Sequence, residues 1–147
     1  MAGKIMAIAS LVLLMAAAPV ASQPGSYDLS SNDVAAFKKE PPLSQADIDT
    51  LLVVLPQLWA NSHPAKVARI RKKAGLTETR LWYICEKTIL GMRAIYNGFS
   101  REDLSDGNTH PVLIPSEAEM ALIEKHMDAL KNAFGDIVVE RRIRQAN

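Results

Sequence analysis

The chain is short of cysteine, of net charge and of recognisable catalytic motifs, and each shortage narrows what it can be. Cys85 is the single cysteine among 147 residues. No intramolecular disulfide can form, so the fold must stand on its hydrophobic core. The paired cysteines of a heme-attachment site are missing for the same reason. The formal charge is only +1, from 17 basic and 16 acidic side chains. That balance argues against a dedicated nucleic-acid binder, whose domain is strongly basic, and against an acidic, disordered chain. The sequence has no G-x-S-x-G, no Ser-x-x-Lys and no glycine-rich phosphate loop. It has no convincing alternating strand, no internal repeat and no N-x-S/T acceptor.

What is present begins with residues 1–22, MAGKIMAIASLVLLMAAAPVAS. Lys4 precedes an almost unbroken apolar run, and Val20-Ala21-Ser22 fits the small-x-small cleavage pattern. The reading is a secretory signal peptide, with the new N-terminus at Gln23. The apolar run is shorter than the ~20 residues of a membrane span. Cleavage removes one base and no acid, which leaves a formally neutral chain of ordinary single-domain size. A periplasmic or secreted location is expected, and no integral membrane segment after cleavage.

Residues 23–43 read as a flexible or extended spacer, turn-rich at Gln23-Pro24-Gly25-Ser26 and stiff at Pro41-Pro42. A short helical turn from Asp33 to Lys39 is allowed, though marginal alone. The helical domain is expected over 44–147. Ser44 and Asp47 form a capping box ahead of the stripe Ile48, Leu51, Leu52, Leu55, Leu58 and Trp59. Pro56 should kink that helix or end it near Leu55. Pro64 opens a second helix with Val67, Ile70 and Ala74 inward, closed by Gly75. Thr77 caps a third helix reaching about Asn97. Leu81, Ile84, Cys85, Thr88, Met92, Ile95 and Tyr96 recur along it, with Trp82, Ile89 and Leu90 widening the apolar face. A helix so apolar around its circumference should be central. A long loop, 98–115, precedes a second capping box at Ser116 and Glu119. A fourth helix then carries Met120, Ile123, Met127, Leu130 and Phe134. The tail 136–147 suggests a last short helix. The expected architecture is an all-α bundle of four to five helices.

Residues 66–88, KVARIRKKAGLTETRLWYICEKT, resemble the first half of a bacterial repressor-type helix-turn-helix, in which a basic helix precedes a Gly-Leu-Thr turn. The resemblance covers roughly 20 residues and implies DNA binding only if residues 1–22 are not a leader. That family then needs a second sharp turn and a polar recognition helix. Here the chain continues through Ile89, Leu90 and Met92. Gly75 and Thr77 also read simply as helix caps.

The same stretch holds a charge cluster. Lys66, Arg69, Arg71, Lys72 and Lys73 have no acid between Asp49 and Glu78. The cluster is the candidate anion- or partner-binding patch, for phosphate, acidic polysaccharide, anionic lipid or an acidic protein. The bland alternative is a solvated face favoured by the helix dipole.

Other constellations fall short. A calcium loop aligned on Gly107 puts Leu104 and Leu113 where ligands are needed; a looser set of Asp103, Asp106 and Asn108 remains. His63, His110 and His126 lie far apart at no metal-ligand spacing. Met92, Met120 and Met127 read as packing material rather than heme ligands. Cys85 reads as a buried thiol. Glu117, Glu119 and Asp128 are expected on outer helix faces. No catalytic, cofactor or metal residue is assigned. The expected function is a small exported binding protein acting on a protein or envelope component, with room for a homodimer. The alternatives are a small exported enzyme or metal-binding domain using the histidine, His110, and the acidic residues of loop 98–115, or the helix-turn-helix reading.

Overall fold

The structure is a computed structural model that describes residues 29–105 and 109–135. The expected leader, the first part of the spacer, Asp106 and Asn108 of the looser calcium set, and the tail 136–147 lie outside the described residues. Among the described residues the chain is all-α, with seven helices, one 3-10 turn and no strand. The helices are α1 (Ser31–Phe37), α2 (Gln45–Trp59), α3 (Pro64–Lys73), α4 (Glu78–Asn97), α5 (Arg101–Ser105), α6 (Glu117–Lys125) and α7 (Met127–Phe134). The 3-10 turn spans Pro111–Leu113.

Seven helices replace the expected four to five for three local reasons. The segment read as spacer contains α1, which closes its own capping box between Ser30 and Asp33. Too short to persist alone, α1 is held by Phe37, 1% exposed. The Phe37 ring meets Trp82 edge-on at 5.0 Å and lies 5.7 Å from the ring of Tyr83. The long loop contains α5, capped by a reciprocal pair of bonds between Ser100 and Asp103, and the 3-10 turn. Leu104, Leu113 and Pro115 are buried there. The last helix is broken at His126, whose φ of −108° and ψ of 14° leave the helical region. The break resets the chain so that α7 packs on α2 while α6 packs on α4.

Pro56 does not end α2, which runs on to Trp59. Its ring faces solvent, and the helix sacrifices one donor without placing an unpaired group in the core. The Trp59 indole then donates to the Ala133 carbonyl at 3.0 Å and joins the ends of α2 and α7. Gly75 and Gly98 stop α3 and α4 at φ of 74° and 68°, a left-handed conformation that Gly adopts without Cβ strain.

The centre is α4. Leu81 and every residue from position 83 to 94 are buried on it, and α1, the 3-10 turn and α6 pack around it. The expected central helix is therefore realised; its stretch 83–94 is covered within the chain, while Tyr96 near its end is 38% exposed. No described helix is long and apolar enough to cross a membrane.

Candidate functional site

The basic cluster lies on α3, a ten-residue helix started by Pro64 and capped by His63, whose Nδ1 accepts the Ala65 N–H at 3.3 Å. At about 100° per residue, Lys66, Arg69, Lys72 and Lys73 fall within an arc of about 120°. All four are exposed, and none makes a salt bridge with the described residues. Val67 is buried on the opposite side.

Arg71 stands apart from the other four. Its guanidinium donates to the Leu76 carbonyl at 2.7 Å and lies 3.7 Å from a Glu78 carboxylate oxygen. Its side chain is 11% exposed. It fastens the turn between α3 and α4 and is not offered to a partner. Arg80 is similarly occupied. It donates to the Pro41 and Pro42 carbonyls at 2.6 and 3.3 Å and to Asp47 at 2.7 Å, which clamps the connector after α1 onto the start of α2.

A second concentration of charge lies inside the protein, where the sequence reading placed none. Glu86, Lys87, Thr88 and Arg93 are all buried on α4. Lys87 Nζ donates to both carboxylate oxygens of Glu119 at 2.8 and 2.9 Å, and lies 4.9 Å from the centroid of the Tyr83 ring. Glu119, expected on an outer face, is 3% exposed. Its remaining acceptor positions take the Leu43 N–H at 2.7 Å and the Ser116 N–H at 2.7 Å. Burial pushes its pKa up, but the bonds from Lys87, Ser116 and Leu43 outweigh that effect and hold the carboxyl below its ordinary range. The missed signal was simple. A helix apolar around its whole circumference has no outer face for Glu86, Lys87 and Arg93 to occupy.

Glu86 is the less comfortable member. Burial raises its pKa to about 7, against the opposing charge of Arg93. Its Oε1 and the Trp82 Nε1 have no hydrogen-bond partner among the described residues. They sit one turn apart on α4.

The chain matches no known family model, no curated protein and no solved structure. Function must therefore be argued from the residues.

The histidines are not brought together as a site. His63 and His110 each precede a proline and cap the turn they start; His110 Nδ1 accepts the Val112 N–H at 3.2 Å. His126 Nε2 meets Gln45 Oε1 at 3.0 Å. Among the described residues no three His, Cys, Asp or Glu side chains gather as metal ligands. Asp103 is engaged as a cap for α5. Cys85 is buried, and desolvation, aided by the neighbouring Glu86 charge, pushes its thiol pKa well up. Such a thiol is a poor nucleophile. The helix after the Gly75-Leu76-Thr77 turn is α4, so its middle presents no face to a DNA groove.

Proposed function

We propose that this chain is a small exported helical binding protein whose working surface is the outer face of α3. The supporting observation is a contrast among its cations. Arg71, Arg80 and Lys87 are each tied to a carboxylate of the chain. Lys66, Arg69, Lys72 and Lys73 share one face with none among the described residues. A local positive field on a formally neutral chain attracts an anionic surface without making the whole protein a general polyanion binder. Residues 1–22 are proposed as the leader that places the domain in the periplasm or outside the cell, where the partner is an anionic envelope component or an acidic protein.

Two measurements test the reading. Full-length chain expressed with its own first 22 residues is fractionated and weighed intact. A soluble exported species starting at Gln23 is expected, and a cytosolic species retaining Met1 overturns the export. Binding to soluble poly-glutamate is then measured by calorimetry at low salt. The variant Lys66→Gln/Arg69→Gln/Lys72→Gln/Lys73→Gln is expected to lose binding by at least about tenfold. Equal binding by variant and parent overturns the α3 surface.

A further inference from the structure

The composition of the α3 face says more about its partner than its charge does. Protein interfaces concentrate aromatic residues, Met and Arg at their centre and are depleted in Lys. The exposed arc of α3 is the reverse: three lysines, one arginine and no exposed aromatic residue. A lysine ammonium is a compact, hydrated point charge, poorly suited to bidentate recognition. Three such charges and one guanidinium, spread over residues 66–73, make a field, not a pocket. A surface of many mobile anionic headgroups is complementary to that, because it demands charge density and no fixed stereochemistry.

A second exposed group lies near the patch in sequence. The link from α2 to α3 is only residues 60–63, and Trp59 stands at its start, 41% exposed. Tryptophan partitions to the headgroup level of membranes, where one edge is apolar and the other wet. Its Nε1 is already satisfied by Ala133, so the exposed part of the ring is free to meet an interface without leaving a donor unpaired.

We infer that the α3 face, together with the exposed ring of Trp59 at the end of α2, docks the domain onto a bilayer surface rich in anionic phospholipid. This rests on the reading of α3 as the working surface and names its partner. The binding is peripheral: no described helix spans a membrane, and attraction falls off within a Debye length, about 10 Å at 0.1 M salt.

The test is sedimentation of the chain spanning residues 23–147 with vesicles of phosphatidylcholine alone, or with about a third phosphatidylglycerol. Binding to the anionic vesicles only is expected, and weakens as salt is raised. Each cation is worth roughly fivefold near such a surface, so the four-glutamine variant should lose binding by well over tenfold. Its circular dichroism and thermal midpoint check that it still folds. Lys38→Gln/Lys39→Gln, the same kind of change away from α3, should cost less than about a quarter of that variant's loss on a logarithmic scale. Lys66→Arg/Lys72→Arg/Lys73→Arg should bind within about twofold of the parent, because charge and not shape is read. Trp59→Phe should weaken binding by a few fold.

Binding to poly-glutamate but not to vesicles overturns the lipid inference and leaves the α3 surface standing. Binding to neither overturns both. Tighter binding to a random DNA duplex than to anionic vesicles overturns the lipid inference. Displacement from vesicles by millimolar inorganic phosphate also overturns it, since it marks a small-anion site and not a surface.

Discussion

Lys87 and Glu119 form a buried ion pair between the centre of α4 and the first turn of α6, with Nζ 2.8 and 2.9 Å from the two carboxylate oxygens. Glu119 is also the acid of the Ser116 capping box and the acceptor for the Leu43 N–H. One side chain thus holds a helix end, the connector after α1 and the central helix. All its acceptor capacity is used, which is the condition under which a buried charge is tolerated.

Breaking that pair from one side should cost more than removing it. Lys87→Met leaves the Glu119 carboxylate buried and under-compensated, and should destabilise the fold by about 3–5 kcal/mol. Glu119→Gln alone leaves the ammonium unpaired. The double variant Lys87→Met/Glu119→Gln should recover at least about 1 kcal/mol relative to the sum of the singles. Urea unfolding of the four proteins gives the cycle, and strict additivity would show that the pair carries no coupling.

The two buried glutamates act in opposite directions on pH. Glu119 is held below the ordinary value of 4.5, so its contribution is present above that value and disappears as pH falls through the lower folded one. Glu86 is raised to about 7, so the folded state holds its proton between 4.5 and 7 while the unfolded chain releases it. Stability from Glu86 therefore falls as pH rises through that window, by about 3 kcal/mol in total. The profile expected from these two groups peaks at about pH 4.5. Glu86→Gln should remove most of the fall between pH 5 and 8, and an unchanged slope in that variant would assign the fall to another group.

Gly91 lets α4 and α6 pack closely. A Cβ built there runs into Cδ1 of Ile123 and touches the Met120 sulfur at 3.4 Å. Ile123 is fully buried, so its methyl has little room to move. Gly91→Ala gains up to about 1 kcal/mol in helix propensity but should still destabilise by about 1–2 kcal/mol through overpacking. Adding Ile123→Val removes the obstructing methyl and should restore part of the loss. If Gly91→Ala is stabilising by itself, the two helices are less tightly apposed than described.

Cys85 should be silent in the folded protein. It is 3% exposed, and burial disfavours its thiolate. An aromatic disulfide reagent at pH 8 should label it no faster than the chain opens, and label it at once in concentrated urea. Rapid labelling without denaturant would mean that the centre of α4 is accessible.

The sequence by itself determined where the longer helices begin. Ser44, Thr77 and Ser116 cap as their local patterns require, and Gly75 and Gly98 stop as expected. Caps and stops act over three or four residues, so a short window contains all the physics. The cationic arc of α3 was legible for the same reason, since helical periodicity fixes which side chains share a face. Only the tertiary structure decided the rest. Segment 31–37 is a packed helix because Phe37 meets Trp82 on another element. Lys87 and Glu119 are core residues because folding joins positions 32 apart, and Leu43 reaches the same carboxylate across 76. Helical periodicity already sets Arg71 off the cationic arc, and folding supplied its partners, Leu76 and Glu78, from the turn beyond α3. A buried charge is stable only when partners from elsewhere complete its bonds, and no local pattern states which partners will arrive.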